Sequence, residues 1–146
     1  MVRTEAIEML RIARTAHMQW MARAKAIVAG VALNKDLVPV MHTDCKFGQW
    51  YYGPGQLLNT LKSFQDVERT HAELHQVYSE IFNLIFGSQE SSLLKKLFSV
   101  DDAHKQEKLL MAKQLIPRLV DISKEMLILL DHLENDLTQM QGNVID

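Results

Sequence analysis

The chain has 146 residues, of which 47% are hydrophobic and 23% charged, a composition typical of a globular domain with one core. Its formal net charge is −2 and no basic stripe is present, which argues against a nucleic-acid partner. The N-terminus lacks the apolar core of a signal peptide, and the longest apolar run, 26–33, is far shorter than the roughly 20 residues of a membrane helix. We therefore expect a single cytoplasmic domain over residues 1–146, with no membrane partner.

The first long helix is predicted over residues 4–33. Apolar residues recur there at alternating spacings of three and four, which is the pattern of a helix with one packed face. His17 lies on that face, where an imidazole needs a polar partner because an unsatisfied buried one is costly. Residues 34–55 then interrupt the helical pattern with two prolines and three glycines. Since so long a loop is unusual in a bundle unless it has a function, we predict a short helix at about 44–50 that directs Cys45 inward.

The second long helix is predicted over residues 54–86, from Pro54 to a stop at Gly87, with Leu57 on its apolar stripe. A short third helix is expected at about 89–98. A fourth helix is predicted to run to about residue 140, with a kink at Pro117 and a frayed tail from Gly142. Strand signals are absent, so the predicted fold class is all-α. The expected architecture is a mostly antiparallel four-helix bundle with a long structured loop or short helix between the first two long helices.

His71 and His75 are four residues apart on the second long helix, so both side chains leave one face and can share an ion. The spacing alone is weak evidence, because two satisfied polar residues on a partner-facing stripe explain it equally well. Zinc proteases use the same spacing with a glutamate directly after the first histidine. That position is Ala72 here, so the protease motif is not matched.

A single cysteine cannot form an internal disulfide, so Cys45 is a free thiol, a metal ligand or a core residue. An antiparallel pairing of the first two long helices would bring His17 to the height of the histidine pair, and the intervening loop can fold back with Cys45. Three imidazoles and one thiolate complete a tetrahedral zinc shell, and these donors favour zinc over magnesium, calcium or manganese. The predicted metal ligands are His17, Cys45, His71 and His75.

The same residues carry a family resemblance. The chain resembles the chemoreceptor zinc-binding (CZB) domain of bacterial signalling proteins over about residues 13–78, and the matching motifs are His17-Met-Gln-Trp20, Cys45-Lys-Phe-Gly-Gln-Trp50 with Gly53 and Gly55, and His71-Ala-Glu-Leu-His75. The resemblance implies a small helical bundle in which one cysteine and three histidines bind zinc. By that match the ligands are again the four residues named above.

The resemblance also implies a role in signal transduction. Domains of this family are usually fused to a chemoreceptor or a diguanylate cyclase, are often homodimeric, and are implicated in chemotaxis, zinc sensing and redox sensing of hypochlorous acid through the zinc-bound cysteine. We expect no output domain to be attached to this chain, which leaves its signalling target open.

Other polar and aromatic residues are secondary candidates. His42, three residues before Cys45, is interpreted mainly as a solvent-exposed loop histidine, with a supporting group or substitute ligand as the alternative. Asp44 either accepts a hydrogen bond from a ligand histidine or caps the turn. The remaining expectations concern exposure and packing: a surface position for His104 and His132, and packing around the site, or plain core packing, for Trp20 and Trp50.

Three classes of function remain open from the sequence. A closed four-ligand shell has no open position for substrate, so we expect no enzyme activity and favour a regulatory sensor. The second class is a structural module that zinc simply staples together. The third is a metal-dependent hydrolase or a di-iron bundle protein; the latter needs two Glu-x-x-His pairs, and Glu68 with His71 provides only one.

Overall fold

The structure, a computed structural model, describes residues 1–31, 39–87 and 102–145. Within those ranges the chain forms a 3-10 helix, Pro54–Leu58, and four α-helices: α1 (Arg3–Val28), α2 (Lys46–Tyr52), α3 (Lys62–Phe86) and α4 (Asp102–Gln139). The predicted all-α bundle, with a short helix between the first two long ones, is confirmed. The predicted third helix at about 89–98 lies outside the described residues.

The first long helix ends at Val28 rather than at residue 33. Gly30 has a φ of +87°, a left-handed conformation that glycine adopts without a steric penalty. Its N–H donates to the carbonyl of Ile27 at 3.1 Å, and the N–H of Val31 donates to the carbonyl of Ala26 at 3.0 Å. These two bonds form a Schellman motif, which closes the helix even though the apolar pattern continues beyond it.

The second long helix begins at Lys62, eight positions after the predicted start at Pro54. Pro54 does begin a helix, but it is the 3-10 helix, and the extended backbone of Leu61 separates that helix from α3. The break changes which side chains face inward: Leu58 is 1% exposed, whereas Leu57, placed on the apolar stripe by a continuous helix, is 47% exposed. The predicted stop after Phe86 is confirmed, and Gly87 follows it with a φ of +68°.

Helix α4 is antiparallel to α1. The guanidinium of Arg3, at the start of α1, donates to the carbonyl of Met140, just beyond the end of α4. Further along α1, Arg14 forms an ion pair with Glu134 at 3.0 Å. Ascending residue numbers in α1 therefore meet descending numbers in α4. The helix continues through Pro117 without interruption.

Helix α4 is also antiparallel to α3. The hydroxyl of Ser63 donates to Asp136 at 2.5 Å, and that of Thr70 donates to Glu125 at 3.2 Å. Since both α1 and α3 oppose α4, these two helices run parallel to each other. The expected antiparallel pairing of the first two long helices is therefore wrong. The segment between them carries the chain back along the bundle, which is why the interruption after α1 is so long.

One hydrophobic cluster joins all of these elements. Its largest fully buried side chains come from the three long helices, α2 and the 3-10 helix: Leu10, Phe47, Leu58, Phe64, Leu74, Tyr78, Ile81, Leu119, Met126, Leu130, Leu133 and Leu137. In the described ranges, no helix is both long enough and apolar enough to cross a membrane.

The C-terminal tail is ordered, contrary to the prediction that it frays from Gly142. Val144 forms an antiparallel bridge with Val2, and the N–H of Ile145 donates to the carbonyl of Met1 at 2.9 Å. The side chain of Ile145 is 6% exposed and belongs to the hydrophobic cluster. The two chain ends thus close the end of the bundle where α1 starts and α4 stops.

Shortening the tail side chain tests this closure. We expect Ile145→Ala to lower the free energy of unfolding by about 1–3 kcal/mol, because it removes a buried aliphatic group. The matched variant Val144→Ala alters a residue that is 66% exposed, and it should cost less than about 0.5 kcal/mol. Urea unfolding followed by circular dichroism measures both values. Equal, negligible effects would show that the tail frays as the sequence suggested.

Candidate metal centre

The four predicted ligand residues lie together. One nitrogen or sulfur atom from each lies within 4.8 Å of the corresponding atoms of the other three, and the group consists of His17, Cys45, His71 and His75. The histidines are buried and Cys45 is half-buried. Across the described part of the chain, this is the one such group with the spacing that a metal ion requires. We call it the four-residue site.

His17 is contributed by the buried face of α1. Its Nδ1 lies 2.7 Å from the carbonyl oxygen of Ala13, one helical turn earlier, so Nδ1–H donates to that carbonyl. A neutral imidazole with its proton on Nδ1 has its free lone pair on Nε2. Metal-bound histidines commonly have this arrangement, in which the second ring nitrogen is fixed by a backbone carbonyl.

His75 provides the observation that best fits a metal. Its Nδ1 lies 2.8 Å from the carbonyl oxygen of Val40, which fixes the proton on that nitrogen. The remaining nitrogen, Nε2, is fully buried and has no hydrogen-bond partner. Buried polar atoms are rarely left unsatisfied, because the loss of water contacts is uncompensated. An ion at the centre of the four-residue site would satisfy this lone pair.

Cys45 and His71 approach each other most closely. The distance from Cys45 Sγ to His71 Nε2 is 3.4 Å. A sulfur and a nitrogen bound to one tetrahedral zinc lie about 3.5 Å apart, given metal distances of roughly 2.3 and 2.0–2.1 Å. Cys45 is placed there as the N-cap of α2, where Sγ accepts a hydrogen bond from the N–H of Gly48 at 3.2 Å.

The three rings also have suitable mutual distances. Imidazoles bound to one tetrahedral zinc have ring centres about 5 Å apart, as follows from the same metal–nitrogen distance. The observed separations are 5.0 Å for His17 and His71, 5.6 Å for His17 and His75, and 4.7 Å for His71 and His75. The side chains therefore need only small adjustments to enclose an ion.

Aromatic residues surround the site. The ring of Trp20 lies 4.5 Å from that of His75, and the ring of Phe47 lies 5.0 Å from that of His71. Trp50 lies one layer further out, against Phe47 at 5.7 Å. Of the two tryptophans, Trp20 thus contacts the site directly, whereas Trp50 packs in the core beside it.

Burial keeps the site's imidazoles uncharged. Desolvation, with repulsion from neighbouring histidines, lowers the pKa of His71 to about 2. Desolvation likewise lowers the pKa of His75 to about 4 and lowers that of His17. For Cys45, desolvation raises the pKa of the thiol. Neutral imidazoles are the form that binds metal, whereas the thiol must release a proton to become a ligand.

The secondary candidates differ in their outcomes. His42 is half-buried rather than exposed, and its ring centre lies 5.8 Å from that of His71, although it is not part of the four-residue site. Asp44 is exposed and accepts a hydrogen bond from the hydroxyl of Thr43 at 3.3 Å, so it does not orient a ligand histidine. The surface positions expected for His104 and His132 are confirmed.

Glu68 does not take part in the site. Its side chain is exposed and accepts a hydrogen bond from the hydroxyl of Tyr52 at 3.0 Å. The Glu-x-x-His spacing to His71 therefore reflects neighbouring positions on a helix, and it does not form half of a di-iron site.

Sequence reasoning missed the groups that orient the histidines. These are the backbone carbonyls of Ala13 and Val40, and a carbonyl is present at every position whatever the residue type. The one usable signal is that Ala13 precedes His17 by one turn on a packed face. No comparable signal marks Val40, which is distant in sequence from His75.

Comparison with known families agrees with the geometry. Residues 17–82 match the family described as the chemoreceptor zinc-binding domain. All four clustered residues lie inside the matched segment. Comparisons with curated proteins and with solved structures gave no match. The family and the side-chain cluster together indicate zinc binding.

The close packing at Gly48 gives a test of how the loop positions Cys45. A Cβ at this position would lie 1.8 Å from the carbonyl oxygen of His42, so any side chain must displace the turn that carries Cys45. We expect Gly48→Ala to weaken zinc binding by about 10- to 100-fold, the range seen when a ligand's support is disturbed. Competition with a chromophoric chelator measures the affinity, and circular dichroism checks that the helices remain.

The control for Gly48→Ala is Gly142→Ala at the closed end of the bundle. Gly142 has a φ of +83° with no atom near the added Cβ, so alanine there costs roughly 1 kcal/mol of backbone strain. It should leave zinc affinity unchanged. Equal losses of affinity in the two variants would mean that global destabilisation, and not displacement of Cys45, is responsible.

The buried histidines also predict a pH dependence for the metal-free protein. Folding lowers the pKa of His75 from 6.5 to about 4, so between these values the unfolded chain binds more protons than the folded one. As the pH is lowered below about 6.5, the free energy of unfolding should therefore decrease. The decrease should be about 1.4 kcal/mol per pH unit for each histidine whose pKa is lowered in this way. Urea unfolding with a chelator present, at several pH values, measures the slope.

Two variants locate the source of that slope. His75→Gln should make it shallower, because glutamine does not titrate. His132→Gln, which removes an exposed histidine, should leave it unchanged. A slope unaffected by His75→Gln would contradict the neutral, buried state assigned to this imidazole.

Proposed function

We propose that this chain is a zinc-binding regulatory domain in which His17, Cys45, His71 and His75 hold the ion. In the proposal, a change in zinc supply or the oxidation of Cys45 alters the packing of the helices. The observation that carries the proposal is the buried, unpartnered Nε2 of His75, which converges with one donor atom from each of the other three residues.

The donor set favours regulation over catalysis. Zinc bound there would satisfy the His75 lone pair and stabilise the Cys45 thiolate. Four protein donors complete a tetrahedral shell, which leaves no position for a water or substrate. We therefore propose that the chain is not an enzyme. The three neutral imidazoles bind without losing a proton, so Cys45 is the ligand whose proton is exchanged for the metal.

Cys45 is also the ligand with redox chemistry. In the proposed step, its sulfur attacks the chlorine of hypochlorous acid and hydroxide leaves, after which water replaces chloride and a proton is released. The sulfur thereby becomes a sulfenic acid and loses two electrons, which leave with chloride. A sulfenic acid is a poorer metal ligand than a thiolate, so the bond that would connect the ion to the start of α2 weakens.

Helix α2 links Cys45 to the rest of the core. The ring of its residue Tyr51 stacks on Phe64 of α3 with centres 4.1 Å apart, and its hydroxyl donates to the carbonyl of Phe64 at 2.8 Å. Phe47, on the same short helix, touches the rings of both His17 and His71. A displaced Cys45 would therefore shift α2 against both long helices that carry the histidines.

The family suggests the partners in this proposal. We propose a homodimer that passes the change in packing to a bacterial signalling protein, of which a chemoreceptor in chemotaxis and a diguanylate cyclase are the two candidates. This part depends on the family alone. The second candidate function is a zinc-stapled interaction module without sensing, and the burial of all three histidines favours it.

Metal analysis tests the proposal. The protein is purified without chelator or immobilised-metal resin, both as wild type and as Cys45→Ala. We expect about one zinc per wild-type chain and an affinity at least about tenfold lower in the variant, since one of four ligands is lost. Hypochlorous acid should lower the zinc affinity of the wild type and change the fluorescence of Trp20, which lies beside His75. Light scattering on the same samples reports the oligomeric state.

Cys45→Ala is also the control for unspecific oxidation, because it retains all eight methionines. Its zinc affinity and fluorescence should not respond to the oxidant. Wild-type protein without zinc would reject the site. A zinc affinity and a tryptophan fluorescence that are both unchanged by the oxidant would reject sensing and leave the structural module.

A further inference from the structure

The ring of His42 lies at the edge of the four-residue site. Its centre is 5.8 Å from that of His71, close to the 5.6 Å that separates His17 from His75. The ring of Tyr52 also lies close to it, with ring centres 5.9 Å apart. The position of His42 is half-buried, so the ring is neither fixed in the core nor free in solvent.

His42 and Cys45 belong to one tight turn. The N–H groups of Asp44 and Cys45 both donate to the carbonyl of Met41, at 2.9 and 3.3 Å. Within this turn the carbonyl oxygen of His42 lies 3.6 Å from Cys45 Sγ. The backbone of His42 thus contacts the sulfur, and the two residues share one turn.

The same segment already holds one ligand in place. The carbonyl of Val40, two residues before His42, accepts the hydrogen bond of His75 Nδ1. The loop is therefore attached to the site at two points, Val40 and Cys45. When the attachment at Cys45 is lost, the attachment at Val40 keeps the ring of His42 beside the site.

We infer that His42 is a reserve ligand, whose imidazole takes the ligand position of Cys45 when that sulfur is oxidised or absent. The inference deepens the proposed function and depends on it. The ligand set changes from three nitrogens and one sulfur to four nitrogens, and one negative charge is lost from the site. Four imidazoles are an acceptable donor set for zinc. Oxidation then rearranges the loop while the ion is retained.

A double-variant cycle tests the inference through zinc affinity. The proteins are wild type, His42→Ala, Cys45→Ala and the double variant. We expect His42→Ala to change the affinity of the wild type by less than about threefold, but to lower that of Cys45→Ala by more than about tenfold, a coupling within the range found for residues that act together. His104→Ala, which removes an exposed histidine, is the matched control in the Cys45→Ala background and should have no effect.

X-ray absorption on the zinc-loaded proteins identifies the ligands independently. The wild type should show one sulfur at about 2.3 Å, and Cys45→Ala should show four nitrogens at roughly 2.0–2.1 Å, with four imidazole signatures. In the double variant one imidazole should be lost. After hypochlorous acid, the wild type should retain more zinc than His42→Ala.

Three results would overturn the inference while the zinc site stands: an equal effect of His42→Ala in both backgrounds, no effect in either, or three imidazoles in Cys45→Ala. An equal effect would make His42 a permanent support of the site. If the wild type itself binds no zinc, the proposed function fails, and the reserve ligand fails with it.

Discussion

The burial of three uncharged imidazoles around one point is the constraint on which the site depends. Each imidazole must lose its contacts with water, and the backbone carbonyls compensate only the outer nitrogens of His17 and His75. The inner side of the cluster is left with lone pairs that face one another, including the unpartnered Nε2 of His75. In a core without an ion, apolar side chains of similar volume would fill the same space and leave no buried nitrogen unsatisfied. The cluster of imidazoles would therefore be less stable than an apolar core. Binding an ion converts this local cost into stabilisation of the fold.

The parallel orientation of α1 and α3 follows from the same requirement. Both helices pack against α4 in the antiparallel sense, so they present His17 and the pair His71 and His75 to each other at one level of the bundle. The connecting segment must then run back toward the start of α1 before α3 begins. That return brings Val40 and Cys45 to the open side of the cluster. In an antiparallel hairpin with a short turn, no connecting residues would reach this position. The loop is therefore long because it both returns the chain to the start of α3 and supplies residues to the site.

The sequence predicted the helices and the four clustered residues because periodicity and residue chemistry are local signals. It failed where the decisive contact is remote. Three features depend on contacts between segments far apart in the chain: the parallel pairing, the ordered tail at Ile145 and the carbonyl of Val40. None of these contacts requires a particular residue type, so the sequence does not indicate them. The register error at Leu57 has a different origin, since a 3-10 helix advances its side chains by three residues per turn and shifts the face that a continuous α-helix would bury.

The four donor residues of the site come from two kinds of element. The histidines are fixed in long helices and backed by Phe47, Trp20 and the core, whereas the sulfur caps a helix of seven residues. Four of the seven residues of that short helix are buried, so a displaced sulfur would move the helix against the core. Cys45 is also the one donor residue that is only half-buried and the one donor that an oxidant converts chemically. The least buried donor and the donor that an oxidant converts are therefore the same residue, so a chemical change at that sulfur acts at the edge of the site.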